Sequence, residues 1–255
     1  MDLALGGKVA IVNGASQGIG FAIALLLAEE GTRVAVAARR EARLRAAAEE
    51  IRSRTGAEIL AIAADIRRAE DCHRIVAETA ARFGRLDILV NNDGAPPLGA
   101  SLDFDDEAWQ KALDQNLMSV VRMTRAAVPH MRRAGGGSIV NITALSAIQP
   151  MAGFGLSVAS WAGVFGYAKT LSVELGPDRI TVNTICPGLV ETPRLHKVAE
   201  QSGAEMAGLA SDTPLGRVGE PREIAALVAL LASPLGAYIN GTVIPVDGGA
   251  RRALL

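Results

Sequence analysis

The sequence has little of what builds metal centres or disulfide frameworks. Cys72 and Cys186 are its two cysteines, far apart and without a Cys-x-x-Cys spacing, so neither a disulfide framework nor a zinc site has support. Both read as small hydrophobes of the core or near-surface. The three histidines, His73, His130 and His196, form no metal-ligand pattern, and no metal is expected. Nor is there an excess of one charge. Lys plus Arg (26) nearly cancels Asp plus Glu (27), which excludes a global field that would hold nucleic acid or an anionic membrane. A small neutral or anionic ligand fits better. Nowhere do about eighteen apolar residues occur in a row, and Met1-Asp2-Leu3-Ala4-Leu5 carries no basic stretch, so a soluble, cytoplasmic protein is expected. No Pro- or Ser-rich linker divides the 255 residues, and one domain over 1–255 is the expectation.

What is present is a rhythm. Short β-branched runs recur at Val9-Ala10-Ile11-Val12, Val34-Ala35-Val36, Ile59-Leu60-Ala61-Ile62, Ile88-Leu89-Val90, Ile139-Val140-Asn141-Ile142, Ile180-Thr181-Val182-Asn183 and Val243-Ile244. Their continuous apolar character suits strands buried on both faces. Between them lie Ala-, Leu-, Glu- and Arg-rich segments with helical spacing, such as Glu41 to Arg54 and Ala69 to Phe83. This alternation predicts an α/β fold: a doubly wound parallel sheet of about seven strands, with right-handed crossovers and helices on both faces. Residues 189–216 differ, because Pro193, Gly203, Gly208 and Pro214 break their helical fragments, and they read as a mobile substrate lid.

The first strand runs into Asn13-Gly14-Ala15-Ser16-Gln17-Gly18-Ile19-Gly20, and Phe21 to Glu29 is then an apolar helix. A strand, glycine turn and helix in this order bring unpaired helix N-terminal N–H groups to face a pyrophosphate. Gly14 permits the tight turn, Gly18 lets backbone approach phosphate, and Gly20 lets helix pack on strand. After the second strand, an acidic side chain would accept from the adenosine ribose hydroxyl and repel a 2′-phosphate. That place holds Ala38, followed by Arg39 and Arg40, whose guanidinium groups fork onto phosphate; NADP(H) is therefore expected over NAD(H).

Over nearly its whole length the chain resembles the short-chain dehydrogenase/reductase family. Gly14-x-x-x-Gly18-Ile19-Gly20 is similar to that family's coenzyme turn, with Ser16 and Gln17 inside it and Asn13 where Thr is usual. Asp65-Ile66 resembles its adenine contact, Asn91-Asn92-Asp93-Gly94 its Asn-Asn-Ala-Gly motif, and Asn116 its helix asparagine. Pro187-Gly188-Leu189-Val190-Glu191-Thr192 is similar to its nicotinamide loop. The stretch Pro214-Leu215-Gly216-Arg217-Val218-Gly219-Glu220-Pro221, followed by Val246-Asp247-Gly248-Gly249, resembles 3-oxoacyl-carrier-protein reductases. The resemblance implies an oxidoreductase on a carbonyl or alcohol, assembled as a homotetramer or a dimer.

It also implies a departure. The family places a serine after the fifth strand, a tyrosine about thirteen positions on, and a lysine one helical turn later, whose charge lowers the tyrosine pKa. Aligned on Ile139-Val140-Asn141-Ile142, those places hold Ala144, Ser157 and Trp161, and only Asn116 remains of the usual four. No shift of register recovers the pair: four residues beyond Tyr167 stands Leu171, and Lys169 is two away. A serine hydroxyl orients a carbonyl or holds water but is a poor acid, and an indole offers one N–H donor. Asn116, Ser157 and Thr143 are thus the candidate catalytic residues, with Ser146 and His196 as further donors. Asp93, standing where an alanine is usual, either accepts from a ribose hydroxyl or backbone N–H, sits uncomfortably near phosphates, or caps its own loop. Three functions compete: an NADP(H)-dependent oxidoreductase with a non-standard site, a silent or regulatory subunit paired with an active relative, and a non-redox lyase or hydratase using His196, Asp93 and Ser157.

Overall fold

A computed structural model describes residues 2–202, 206–211 and 213–253. Each apolar run becomes a strand: β1 (Val9–Asn13), β2 (Arg33–Ala38), β3 (Ile59–Ala63), β4 (Ile88–Asn91), β5 (Gly137–Ile142), β6 (Ile180–Pro187) and β7 (Val243–Val246). All pairings are parallel, and the spatial order is β3-β2-β1-β4-β5-β6-β7. The doubly wound sheet expected from the alternation is the one found.

Strand periodicity sorts the core into two layers. Ala10, Val12, Val34, Val36, Ile88 and Val90 face one side, where they pack with α1 (Gly18–Glu29), α2 (Glu41–Thr55) and α9 (Pro221–Ala232). Their alternates Val9, Ile11, Ala35, Ala37, Leu89 and Ile139 face α3 (Ala69–Phe83), α5 (Ser119–Ala134) and α6 (Gly155–Glu174). Because both faces are covered, the strands carry no polar alternation, which is why they read as unbroken apolar runs.

The sheet winds outward from its middle in both directions, so the strand order reverses between β1 and β4. Beyond the C-terminal ends of those two strands the crossovers diverge and leave a crevice, the place where an open α/β sheet receives a ligand. Two further elements frame it. Between α4 (Asp106–Leu113), capped by the Asp105 carboxylate on Ala108 N–H at 2.8 Å, and α5, a π-helical turn over Asp114–Met118 turns Asn116 inward. Beyond β6 lie α7 (Pro193–Ser202) and α8 (Met206–Ser211).

Of the expected lid, Pro193 begins α7 and Pro214 lies past α8, but Gly208 sits inside α8 rather than breaking a helix. Gly203 lies outside the described residues. The two ends of the segment are tied to each other. Glu191 N–H donates to Gly219 O and Gly219 N–H to Leu189 O, each at 2.8 Å, so the segment departs from and returns to one anchored point.

Candidate active site

The glycine turn sits at the reversal point and is shaped by close packing. Gly14 and Gly18 have φ of +63° and +59°, in the region that favours glycine. A Cβ on Gly14 would lie 2.6 Å from Asn92 Nδ2, and one on Gly20 would lie 2.5 Å from Gly14 O. Asn92 Nδ2 donates to Asn13 O (3.1 Å) and Gly14 O (3.4 Å), so β4 holds the turn in shape from across the crevice. Gln17 makes no side-chain cap on α1, and the first turn has no acidic residue. The helix therefore presents open N–H donors and its positive end to the crevice, with Ser16, Gln17, Gly18, Ile19 and Gly20 around it.

Beside this turn, β2 ends at the part-buried Ala38, and Arg39 and Arg40 are exposed. The structure adds a third guanidinium that the sequence reading missed. Arg43 Nη1 donates to Gln17 Oε1, bringing it from α2 onto the turn. Its one signal in the sequence is its place in the first turn of the helix that follows Arg39 and Arg40.

Asp65 already has a partner. Arg67 Nε bonds its two oxygens at 2.9 and 3.0 Å, and this guanidinium holds the Asp65 carboxyl below the usual carboxylate range despite partial burial. Ile66, next to it, lines the crevice. Gly94 is exposed, and its carbonyl accepts from Gln115 Nε2 of the π-turn.

Asn91 is one of four buried polar side chains in register across the sheet: Asn13, Asn91, Asn141 and Thr184 on β1, β4, β5 and β6. Asn91 Nδ2 donates to Asn141 Oδ1 at 2.9 Å and its Oδ1 accepts from Asn13 Nδ2 at 3.5 Å. The row ties the strands together where they enter the crevice. Asn141 Nδ2 ends it without a protein partner. Asn141 is among the residues lining a cavity of about 20 Å³, with Asn91, Asp93, Asn116, Thr143 and Trp161.

Of the three catalytic candidates, Asn116 and Thr143 line that cavity and Ser157 does not. Asn116 donates through Nδ2 to Ser160 Oγ at 2.8 Å, fixing α6 against the π-turn, and leaves its Oδ1 without a protein partner. Thr143 Oγ1 donates to Ile185 O (3.1 Å) and touches Cys186 Sγ (3.1 Å). Trp161 is buried and forms part of the wall. Ser157, one turn before it, is 0% exposed, its hydroxyl has no protein partner, and it does not line this cavity. Ala144 is part-buried, and Ser146 is buried with an unpartnered hydroxyl. His196 stands on α7, exposed, its ring bonded to Glu191.

The loop after β6 closes the other side. Pro187 ends β6, and a Cβ on Gly188 would lie 2.8 Å from Asp247 Cα, so this loop passes against the backbone after β7. Val190 is buried at the anchored base of the segment beyond. Thr192 Oγ1 accepts from Leu195 N–H at 3.2 Å, and its methyl carbon is 3.3 Å from where a Gly18 Cβ would stand, so loop and glycine turn meet. Both cysteines are buried, and among the described residues no cluster of potential ligands could hold a metal ion. No described helix is long and apolar enough to cross a membrane.

An open helix end at the reversal point of a seven-stranded parallel sheet, walled by arginines and by a loop from β6, defines a dinucleotide-binding fold of the Rossmann type. A family model described as enoyl-(acyl carrier protein) reductase matches residues 14–251. Human dehydrogenase/reductase SDR family member 4 is 35% identical over 246 residues, covering 96% of this chain and 88% of that protein. The 3-oxoacyl-(acyl-carrier-protein) reductase FabG of Chlamydia muridarum is 34% identical, covering 98% of this chain and 99% of that protein. In three dimensions the chain is similar to L-sorbose reductase from Gluconobacter frateurii, solved with NADPH and L-sorbose, with a TM-score of 0.96 at 34% identity over 100% of both chains. The chain belongs to the short-chain dehydrogenase/reductase family of oxidoreductases.

Proposed function

We propose that the protein binds NADP(H) and interconverts a carbonyl and an alcohol, with proton delivery that differs from the family's usual scheme. The observation that carries this reading is the uncapped turn at the β1/β4 reversal, flanked by Arg39, Arg40 and Arg43. The residues fit the coenzyme: the uncapped turn offers free N–H donors, and the guanidinium groups beside it suit phosphates. Gly14, Ser16, Gln17, Gly18, Ile19 and Gly20 would cradle the diphosphate and Arg39 and Arg40 a 2′-phosphate. Asp65, Ile66, Asn91 and Gly94 would border the adenosine half, and Pro187, Gly188, Val190 and Thr192 the nicotinamide half. That L-sorbose reductase was solved with NADPH supports the same coenzyme here.

When bound, the nicotinamide supplies or accepts the hydride. The chain must then exclude bulk water and move one proton. In our reading Ala144, Ser157 and Trp161 stand at the serine, tyrosine and lysine positions, so no phenol–ammonium pair is available. A buried Ser157 hydroxyl with a neutral indole one turn on cannot serve as a tuned acid. Thr143 must release the Ile185 carbonyl to donate from Oγ1. Otherwise the proton passes through a water: the cavity of about 20 Å³ lined by Asn116, Asn141 and Thr143 has room for one. General acid catalysis contributes on the order of 10²–10⁴-fold, so reduction of ordinary ketones should be slow.

Purified protein with NADPH and a panel of ketones, ketoses and 3-oxoacyl thioesters tests the reading. Slow coenzyme oxidation with at least one member is expected; none across the panel counts against catalysis. The closed wall of Ser157 and Trp161 favours a second reading, a coenzyme-binding subunit that pairs with an active relative. Co-purification from the host separates the two, since recovery of one chain alone removes the second. We infer a homotetramer or dimer; the exposed Val173 on the outer face of α6 is apolar surface that subunit pairing would cover.

A further inference from the structure

Asp93 follows β4 immediately at the reversal point; it is part-buried and lines the cavity with Ile66, Asn91 and Asn116, and its neighbour Asn92 is bonded to the glycine turn. A carboxylate thus stands in the mouth of a crevice built for an anion. Its surroundings are unequal. Arg39 at the end of β2 and Arg67 from the β3–α3 connection attract it, Asp65 opposes it, and Gly94 N–H donates to it. From α5 and the π-turn, Arg122 and Asp114 are paired with each other at 2.8 Å. Arg194 of α7 reaches the carbonyl of Pro96 at 3.4 Å, and α6 presents only the uncharged Trp161.

We propose that Asp93 is an internal competitor of the coenzyme: its ionised carboxylate draws on the field of Arg39 and Arg67 that a coenzyme phosphate also seeks, and coenzyme binds most tightly when Asp93 is neutral. This rests on the coenzyme reading above. Burial outweighs the two guanidinium groups and pushes the Asp93 carboxyl up to about 6, so both protonation states are populated near neutral pH. An anion arriving beside the carboxylate disfavours its charged form and raises its pKa further. By linkage, coenzyme binding takes up a proton, and affinity falls as pH rises from about 6 through the higher pKa of the complex.

Calorimetric titration of NADPH and NADH into the wild type, Asp93→Asn and Asp93→Ala at about pH 5 and about pH 8 tests this. The variants should match the wild type at the lower pH and bind about tenfold more tightly at the higher, the effect of a one-unit rise in the Asp93 pKa on binding. The 2′-phosphate of NADPH also titrates near 6, but equally in all three proteins and not with NADH, so the difference between variant and wild type is the readout. Proton uptake, measured at pH 7 in buffers of different ionisation enthalpy, should be larger in the wild type than in either variant. Variants that follow the wild type at both pH values, or bind more weakly at pH 8, overturn the proposal. Uptake of neither coenzyme by any of the three overturns the coenzyme reading, and this inference with it.

Discussion

The two walls of the crevice are made of different material. The wall at β1 and α1 is backbone: left-handed glycines, uncapped N–H groups and carbonyls clamped by Asn92, with arginines at its rim. The wall at β5, α6 and the π-turn is side chain: Thr143, Asn116, Trp161 and the sealed Ser157. The first is open to a ligand and the second is closed and packed. A backbone site keeps its function as long as the turn keeps its shape, because its donors belong to no particular side chain. A proton-transfer site resides in a few functional groups and vanishes when they are exchanged, while the helix that carried them stays in place.

The strongest way to break this contrast is to rebuild the second wall. Ala144→Ser with Ser157→Tyr and Trp161→Lys should raise NADPH-dependent ketone reduction by about 10²–10⁴-fold, the worth of a tuned general acid. Because Ser157 is fully buried, the added phenol also overpacks α6, and a loss of about 1–3 kcal/mol in urea unfolding should accompany the gain. A folded triple variant that binds NADPH without faster turnover would mean that the wall differs in shape as well as chemistry. On the first wall, Gly14→Ala is the corresponding lesion. Its Cβ meets Asn92 at 2.6 Å in a left-handed backbone, and calorimetry should show coenzyme uptake abolished along with about 1–3 kcal/mol of stability. Smaller still, Arg39→Ala and Arg40→Ala should each weaken NADPH about tenfold, and Arg40→Ala should leave NADH unchanged, as expected of charge-assisted bonds at exposed sites.

The two walls were also unequally legible in the sequence. The sheet could be read because its central strands are buried on both faces and leave apolar runs, and the turn because glycines at fixed intervals mark backbone that no side chain tolerates. Arg43 was missed because its role comes from a helix bringing it back over Gln17, a contact between residues 26 apart. The row from Asn13 to Thr184 was hidden in another way. Each member reads as a polar residue within its own strand, and only the register of four parallel strands makes them neighbours. Glycine's low helix propensity makes Gly208 read as a helix breaker, but an exposed glycine inside a short helix costs only about 1 kcal/mol relative to alanine, which tertiary context overrides. For the second wall, a reading of residue types along the chain cannot show that Ser157 is sealed off from the cavity that Asn116, Thr143 and Trp161 share, because burial is decided by how α6 packs.

Cys186 offers the finest probe of whether that second wall is closed. Burial pushes its thiol up to about 11, against the opposing effects of the Thr143 contact and the nearby Arg251. At about pH 8 very little thiolate exists and little surface is open to a reagent, so iodoacetamide should label Cys186 orders of magnitude more slowly than a free cysteine near 8.5. Labelling should accelerate only with urea unfolding. Cys72, also pushed up to about 11 by burial, serves as an internal standard within the core. The same shifts give an alkaline signature. A thiol whose folded pKa lies above its unfolded one binds its proton more tightly when folded, so its stabilising effect is complete below about 8.5 and is lost as pH rises toward about 11. Cys186→Ala should flatten part of that decline in urea midpoints and change turnover by less than about twofold, since Sγ touches Thr143 without moving a proton in our scheme. Rapid labelling of Cys186 but not Cys72 in the folded protein would show an open path to Thr143, and the contrast between an open backbone wall and a closed side-chain wall would fail at its second half.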